Sequence, residues 1–254
     1  MSKKHSTKDL ALGIDVGGTG IKGAPVDLKK GKFAQDRLRI DTPKRATPQQ
    51  VQEIIGQIAS HFDLGNDIPI GITVPAVVLH GVVHSAANID ESWIGYEADK
   101  EFAKALGRDV VVINDADAAG VAELEYGAAE DEQGLVILTT LGTGIGSALI
   151  NDGELVPNTE LGHLELDGHN AESRAATSAR EREELSWEEW AERLQRYYSH
   201  LERIFSPDLF VVGGGVSKNA DDFLPLLDLK TRIIPAQLRN KAGIVGAAHM
   251  AARD

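Results

Sequence analysis

Two polar residues end a run of β-branched residues near the middle of the chain. Val110 to Ile113 are followed at once by Asn114 and Asp115, and a segment of small residues comes next. This order predicts a buried strand and then a helix, with Asp115 at the carboxyl end of the strand, where open α/β sheets bind ligands. A carboxylate there can act as a general base toward a hydroxyl group. Alternatively Asp115 is the N-cap of the helix, and one residue can serve both roles.

Two glycine-rich turns are the second feature that could do chemistry. The first follows Asp15 and the second follows Thr140; their residues are Gly17, Gly18, Thr19, Gly20 and Lys22, and then Gly142, Thr143 and Gly144. Glycines let backbone N–H groups converge on an anion, while threonine and lysine add a hydroxyl and a positive charge, so both turns are predicted to hold phosphate. The first turn is not a Walker loop, because no Gly-Lys-Ser/Thr opens a helix there, and it is not a dinucleotide fingerprint, because a strand follows it. Plain hairpin turns are the alternative.

A third glycine cluster, at 213–215, follows another apolar run and precedes Lys218. A ligand can approach the backbone closely at such a place, so Gly214, Gly215 and Lys218 are predicted to contact a phosphate donor. The alternative is a flexible loop between a strand and a helix.

The stretch from Glu160 to Glu172 is dense in groups that can hydrogen-bond vicinal hydroxyls, as sugars require. Two alternatives stay open. One is a surface loop. The other is a metal site, although the spacing of its candidate ligands matches no common zinc pattern: His163, Glu165, Asp167 and His169.

Composition narrows the classes of protein that the chain can represent. The formal net charge of −13 argues against a nucleic-acid or anionic-membrane partner. The absence of cysteine excludes disulfides and thiolate chemistry. No run approaches the roughly eighteen apolar residues of a membrane span. Residues 1–9 are polar, without the apolar core of a signal peptide, and are predicted to be a disordered arm of a cytoplasmic protein.

The order of elements repeats along the chain. Each half is predicted to run strand, glycine turn, strand, turn, strand, helix, strand, which is a duplicated βββαβ unit of the α/β class with a cleft between the halves. The third strand of the first half is placed at Phe33 to Ile40, and Thr47 is predicted to cap the helix that follows. The predicted domains are 10–115 and 116–254, with the small-residue helix near 242–248 packing back on the N-terminal domain.

With these motifs in place, the sequence resembles the ROK family of sugar kinases, and within it the glucokinases that use polyphosphate. The resemblance extends from Leu12 to about Ala248 and is most specific in five stretches: Gly13 to Gly23, Ser85 to Gly95, Asn114 to Gly120, Asn158 to His163 and Leu238 to Ala248. It implies an actin-like ATPase (ribonuclease H-like) fold and a homodimer.

The resemblance also implies roles for individual residues. Asp115 is the expected general base. The phosphate turns fall on Gly17 to Lys22 and Gly142 to Gly144, and the adenosine-side glycines on Gly214 and Gly215. Mg²⁺ is the expected cofactor, with Asp15 as an indirect ligand. The expected sugar-binding residues are Asn88, Asn114, Glu160, His163 and Glu172.

One departure from the family pattern concerns zinc. Many ROK proteins carry a cysteine-rich zinc motif after the Gly-His pair, whereas Asp167 to Glu172 contains no cysteine, so no structural zinc is expected.

The expected reaction is phosphorylation of glucose, and of mannose as a further substrate, at the 6-hydroxyl by polyphosphate, ATP or both. A polyphosphate chain would need basic residues along its path, for which the candidates are Lys22, Lys218, Arg239 and Lys241. The alternatives are an ATP-only kinase for mannose or an N-acyl hexosamine, and a sugar sensor without catalysis.

Overall fold

The computed structural model describes residues 9–87 and 89–253, and these form two compact units. Unit 1 contains the described residues up to Ala122 and from Lys241 onward, and unit 2 contains Glu123–Asn240. The chain therefore divides at Ala122 rather than at Asp115, and its last helix belongs to unit 1. The predicted arm, apart from Asp9, lies outside the described residues, as does Asn88.

Unit 1 is built on a mixed sheet. Its strands are β1 (Leu10–Val16), β2 (Ile21–Asp27), β3 (Lys32–Phe33), β4 (Leu38–Ile40), β5 (Ile70–Val74), a separate hairpin of β6 (Val78–Leu79) and β7 (Val82–Val83), and β8 (Val110–Asn114). Its helices are α1 (Pro48–Phe62), α2 (Ala98–Leu106), most of α3 (Asp115–Tyr126) and α8 (Ala242–Arg253). The main sheet has the order β3-β2-β1-β5-β8, with β4 also paired to β2.

The core of unit 1 lies between this sheet and its helices. Thr47 caps α1 in a capping box with Gln50, as predicted, and the helix buries one apolar stripe that includes Ile55 and Ile58. Helix α8 packs directly on the sheet because the strands carry glycine where it crosses. A Cβ at Gly13 would lie 1.9 Å from the carbonyl oxygen of Ile244 in α8. The predicted third strand was wrong in extent, because the exposed residues 34–37, which include the polar Gln35, Asp36 and Arg37, separate β3 from β4.

Unit 2 repeats the same plan with another sheet. Its strands are β9 (Leu135–Leu141), β10 (Ile145–Asn151), β11 (Glu154–Val156), a hairpin of β12 (Glu165–Leu166) and β13 (His169–Asn170), β14 (Leu209–Gly213) and β15 (Arg232–Pro235). Its helices are α4 (Glu172–Ala175), α5 (Thr177–Arg182), α6 (Trp187–Phe205) and α7 (Ala220–Phe223). The main sheet has the order β11-β10-β9-β14-β15.

The aromatic stripe of α6 forms much of the core of unit 2. The side chains of Trp190, Tyr197 and Tyr198 are fully buried against the sheet and α7. In both units an antiparallel hairpin closed by a glycine turn lies beside parallel strands: β1 pairs with β2 and β5, and β9 pairs with β10 and β14. The duplication predicted from element order is thus present as two sheets of matching strand direction. Over the described ranges, none of the helices is both long and apolar enough to span a membrane.

Candidate active site

The candidate residues of unit 1 share one edge of its sheet. Strands β1, β5 and β8 are parallel, so they end together at Val16, Val74 and Asn114. The first glycine turn follows β1, and Asp115 follows β8. This edge is where parallel α/β sheets place ligand chemistry, which agrees with the prediction for Asp115.

Asn114, not Asp115, caps helix α3. The side-chain oxygen of Asn114 accepts hydrogen bonds from the backbone N–H groups of Ala116 at 2.8 Å and Asp117 at 3.1 Å. Its side-chain nitrogen donates to the carbonyl of Ala76 at 3.0 Å. The prediction that Asp115 serves as both cap and base was therefore wrong about the cap. The buried amide of Asn114 instead fixes the start of the helix and, with it, the position of Asp115.

The Asp115 side chain is half-buried in the first turn of α3. One of its carboxylate oxygens accepts from the N–H of Ala116 at 2.9 Å. Asparagine at position 114 carries the capping, so the Asp115 carboxylate is not needed for it. This division of labour between neighbouring residues is compatible with a chemical role for Asp115.

Asp15 lies just before the first glycine turn and is held by two partners. The hydroxyl of Thr73 donates to its carboxylate at 3.0 Å, and the Lys22 ammonium lies 3.6 Å from the other carboxylate oxygen. The side chain is 22% exposed. An oriented, partly exposed carboxylate with a neighbouring lysine is a suitable place for a hydrated cation or a phosphate group.

The first glycine turn is fastened to the residues of β4 and the loop after it. The Thr42 hydroxyl donates to the carbonyl of Gly17 at 2.5 Å, and the Arg39 guanidinium donates to the carbonyl of Thr19 at 2.7 Å. A cavity of about 340 Å³ opens beside the turn, lined by residues that include Gly17, Gly18, Lys44, Arg45, Asp90 and Trp93. Sequence reasoning missed Lys44 and Arg45, because only folding brings this loop to the turn. Asn88 lies outside the described residues, so its predicted sugar contact stays a prediction.

Unit 2 brings three predicted sugar-binding residues together. The imidazole of His163 lies 3.6 Å from the carboxylate of Glu160 and 3.9 Å from that of Glu172. The amide nitrogen of Asn170 is 3.0 Å from Nδ1 of the ring, the nitrogen that also faces Glu172, whereas Nε2 faces Glu160. Sequence reasoning did not single out Asn170, although it lies within the polar stretch that was predicted to bind hydroxyls. We call Glu160, His163, Asn170 and Glu172 the polar cluster.

Glu160 has a pKa above its ordinary value of 4.5. Burial is the main cause, and the negative charge of Glu172 raises the pKa further, while His163 opposes the shift. Glu172 is 26% exposed and accepts a hydrogen bond from the N–H of Ile145, in β10 next to the second glycine turn, at 3.0 Å. The polar cluster is therefore tied directly to that turn.

The second glycine turn lies at the matching edge of the unit 2 sheet. Gly214 follows β14 with φ of +83°, and a Cβ there would lie 2.2 Å from the carbonyl oxygen of Leu141, so only glycine fits. The turn borders a cavity of about 470 Å³, which we call the unit 2 pocket. It is lined by residues that include Gly142, Thr143, Arg180, Trp187, Gly215 and Lys218. Sequence analysis predicted the glycines and Lys218 but not Arg180 or Trp187.

The metal alternative for the polar stretch finds little support in the geometry. Asp167 forms a double hydrogen bond with Arg196, and His169 lies 2.6 Å from Arg174. In the ranges 9–87 and 89–253, no three histidine, aspartate or glutamate side chains are grouped as a metal site requires. Of the basic residues predicted to guide a phosphate chain, Lys22 lies beside the first glycine turn and Lys218 lines the unit 2 pocket, while Lys241 is placed over the Phe33 ring at 5.7 Å.

In comparisons with known proteins, the chain is similar to kinases that act on sugars. Residues 11–176 match the sequence profile of the ROK family. The chain is 49% identical over 250 residues to the polyphosphate glucokinase of Mycobacterium tuberculosis (strain CDC 1551 / Oshkosh). This alignment covers 98% of the chain and 94% of the relative. It is 27% identical to the glucokinase of Streptomyces coelicolor, with 95% and 97% covered. The solved structure of inorganic polyphosphate/ATP-glucomannokinase from Arthrobacter sp. strain KM superposes with a TM-score of 0.91 at 55% identity, covering 96% of this chain and 98% of that one.

Proposed function

Because the chain belongs to the ROK family, we propose that it phosphorylates the 6-hydroxyl of glucose with inorganic polyphosphate or ATP as donor. The relatives named as polyphosphate glucokinase and as glucomannokinase match almost the whole chain, and we include mannose as a second acceptor. The observation that carries the proposal is the junction in unit 2, where a polar cluster suited to a sugar is hydrogen-bonded to a glycine turn suited to phosphate.

We assign the general base to Asp115. It follows a strand at the ligand edge of its sheet, and Asn114 fixes the backbone that carries it. As the bond from the sugar oxygen to phosphorus forms, the carboxylate accepts the hydroxyl proton. Phosphoryl transfer depends chiefly on alignment and charge neutralisation, so placing the acceptor oxygen is as much a part of this role as basicity.

The polar cluster is assigned to the sugar. Glu160 and Glu172 accept hydrogen bonds from hydroxyl groups. The amide nitrogen of Asn170 donates to Nδ1 of His163, so the Nε2–H of the ring can donate to a sugar oxygen. Asn114 has its side chain committed to the backbone on both ends, and its proposed sugar contact would use the remaining amide hydrogen.

The donor is assigned to the glycine turns, with Gly17 to Lys22, Thr140, Gly142 to Gly144, Gly214, Gly215 and Lys218 around its phosphates. Asp15 fits a hydrated Mg²⁺, because its carboxylate is oriented by Thr73 and partly exposed, and Mg²⁺ commonly keeps its waters. When bound, Mg²⁺ would neutralise negative charge on the donor. The chain's own residues provide the orientation: Thr73 and Lys22 hold the Asp15 carboxylate in place.

The homodimer stays a prediction from the resemblance, and the cytoplasmic location stays a prediction from the polar N-terminal residues. The aromatic face of α6 and the small-residue face of α8 are not candidates for a dimer surface, because each is buried in the core of its own unit.

A product assay with glucose and a panel of donors tests the proposal. Sugar 6-phosphate should form from polyphosphate and from ATP, and mannose should compete with glucose. Product from ATP alone would reject the polyphosphate part and favour an ATP-only hexose kinase. A preference for N-acetylglucosamine would change the assigned acceptor. Glucose binding without product from any donor would indicate a sugar sensor and overturn the proposed function.

A further inference from the structure

The unit 2 pocket contains two polar atoms that the assignments above leave unused. Thr177 Oγ1 and Arg180 Nε are both buried, and neither has a hydrogen-bond partner within the described part of the chain. Buried donors without partners are uncommon in folded proteins because each forfeits its hydrogen bonds to water. Both residues line a pocket that is large enough for a small ligand.

Arg180 is held in a defined position at the wall of this pocket. Its guanidinium carbon lies 3.6 Å from the centroid of the Trp187 ring, in a cation–π stack. A cation–π contact leaves both the charge of the guanidinium and its N–H donors intact. A planar fork of donors in this state is the preferred protein partner of phosphate oxygens.

The segment that carries Arg180 is joined to the second glycine turn. The backbone N–H of Ser178 donates to the carbonyl of Gly142 at 3.1 Å, and its hydroxyl donates to the carbonyl of Thr143 at 2.6 Å. Arg180 therefore lies two residues along the chain from a direct contact with a turn that is assigned to the phosphates of the donor. A donor that extends from the turn into the pocket would pass the guanidinium.

The pocket wall suits a chain of phosphates better than a nucleoside base. Arg180 covers the Trp187 ring, and Phe223 also stacks on it with 5.9 Å between centroids and 20° between planes. A base could stack on the indole only by displacing one of them. The polar lining is instead rich in groups that can donate to phosphate oxygens, against one carboxylate, Glu181: Thr143, Thr177, Arg180, Lys218 and Asn219.

We infer that Arg180 binds the polyphosphate chain beyond the phosphoryl group that is transferred, with Trp187 as the residue that positions it. This inference rests on the proposed function, and it assigns to Arg180 the preference for polyphosphate over ATP in binding. Arg180 contributes more to the binding of polyphosphate than to the binding of ATP, because a polyphosphate chain places charged oxygens in the pocket where ATP would place its nucleoside.

Direct binding tests the inference without relying on turnover. Long-chain inorganic polyphosphate is titrated by calorimetry into the wild-type protein and into the Arg180→Gln, Arg180→Lys and Arg203→Gln variants. Arg203 is exposed on α6, so the Arg203→Gln variant is a control that loses one positive charge outside the pocket. The loss of a charge-assisted, forked contact should weaken polyphosphate binding by about tenfold in Arg180→Gln, and less in Arg180→Lys. The Arg203→Gln variant should bind as the wild type does.

Steady-state rates complete the test. In Arg180→Gln the KM for polyphosphate should rise by about the same factor, the KM for ATP by much less, and the KM for glucose should not change, which also shows that the variant is folded. Unchanged polyphosphate binding in Arg180→Gln, an equal rise in the ATP and polyphosphate KM, or no polyphosphate binding by the wild type would each overturn the inference. If the wild type phosphorylates no sugar but binds polyphosphate through Arg180, the proposed function fails while the inference stands.

Discussion

The carboxylate of Glu172 accepts a hydrogen bond from the backbone N–H of Ile145 at 3.0 Å. The two residues are far apart in the chain, yet this bond joins the polar cluster to the strand that leaves the second glycine turn. The other oxygen of Glu172 faces the His163 ring at 3.9 Å. One carboxylate thus contacts both the residues assigned to the sugar and the turn assigned to the donor.

Replacing Glu172 by alanine should therefore impair both substrates at once. The N–H of Ile145 loses its acceptor and His163 loses a neighbour, so the KM values for glucose and for the phosphate donor should both rise by about tenfold. Glu172→Gln keeps an acceptor oxygen and should recover most of the donor KM. Steady-state kinetics measure both effects, with Glu165→Ala on the adjacent exposed hairpin as the control. A change confined to the glucose KM would show that the bond to Ile145 does not support the turn.

The raised pKa of Glu160 predicts a pH dependence. Burial keeps the proton on this carboxyl to a higher pH than on an ordinary glutamate, and only in the ionised form are both oxygens pure acceptors for sugar hydroxyls. The kcat/KM for glucose should therefore fall on the acid side at a pH above 4.5, and in Glu160→Gln that fall should move to lower pH. Glu188→Gln, an exposed position in α6, should keep the wild-type profile. Identical acid limbs in the wild type and Glu160→Gln would remove Glu160 from sugar binding.

The same shift has a consequence for stability. Because the folded pKa lies above the unfolded one, folding favours the protonated form. Ionised Glu160 therefore lowers the free energy of unfolding as pH rises through the folded pKa, and this cost is absent below the ordinary value of 4.5. The Tm of Glu160→Gln should rise above that of the wild type only toward neutral pH, where Glu160 is ionised in the wild type. A constant difference across the pH range would contradict this.

Glu123 is a buried carboxylate with a structural role. Only 1% of the residue is exposed, and it accepts hydrogen bonds from the backbone N–H groups of Ala128, Gln237 and Leu238 at 2.8, 3.0 and 2.7 Å. Glu123→Ala leaves these donors unpaired and should lower the free energy of unfolding by about 3 kcal/mol. Urea titration measures this, and Glu130→Ala at an exposed position should change the value by less than about 0.5 kcal/mol. An equally small effect at Glu123 would show that water replaces the carboxylate.

Sequence alone predicted the features that depend on local pattern. The strand ends, the glycine turns and the capping box of Thr47 follow from periodicity and from residue types that few other conformations favour. The duplicated strand order could also be predicted, because glycine-rich turns separate the strands at matching positions in both halves.

The sequence-based predictions failed where two neighbouring residues suit the same role equally well, or where a contact depends on segments that are distant in the chain. Asparagine and aspartate are about equally good caps, so sequence could not decide that Asn114 rather than Asp115 would bond the backbone of α3. The contact of Glu172 with Ile145 and the stack of Arg180 on Trp187 depend on tertiary packing of segments that carry no shared motif. The third strand was interrupted because three consecutive polar residues, Gln35, Asp36 and Arg37, are exposed to solvent.

The most direct test of the account is the Asp115→Asn variant. Asparagine keeps an oxygen that can accept from the N–H of Ala116, and the cap at Asn114 is untouched, so the fold and the affinity for glucose should be preserved. Removing the proton acceptor should lower kcat by about 100-fold or more. Asp36→Asn, exposed between β3 and β4, is the control for loss of one carboxylate and should retain full activity. Glucose binding by calorimetry together with kcat for sugar phosphorylation decides the matter: retained binding with lost turnover is the predicted result, and near-normal kcat in Asp115→Asn would contradict the assignment of the base.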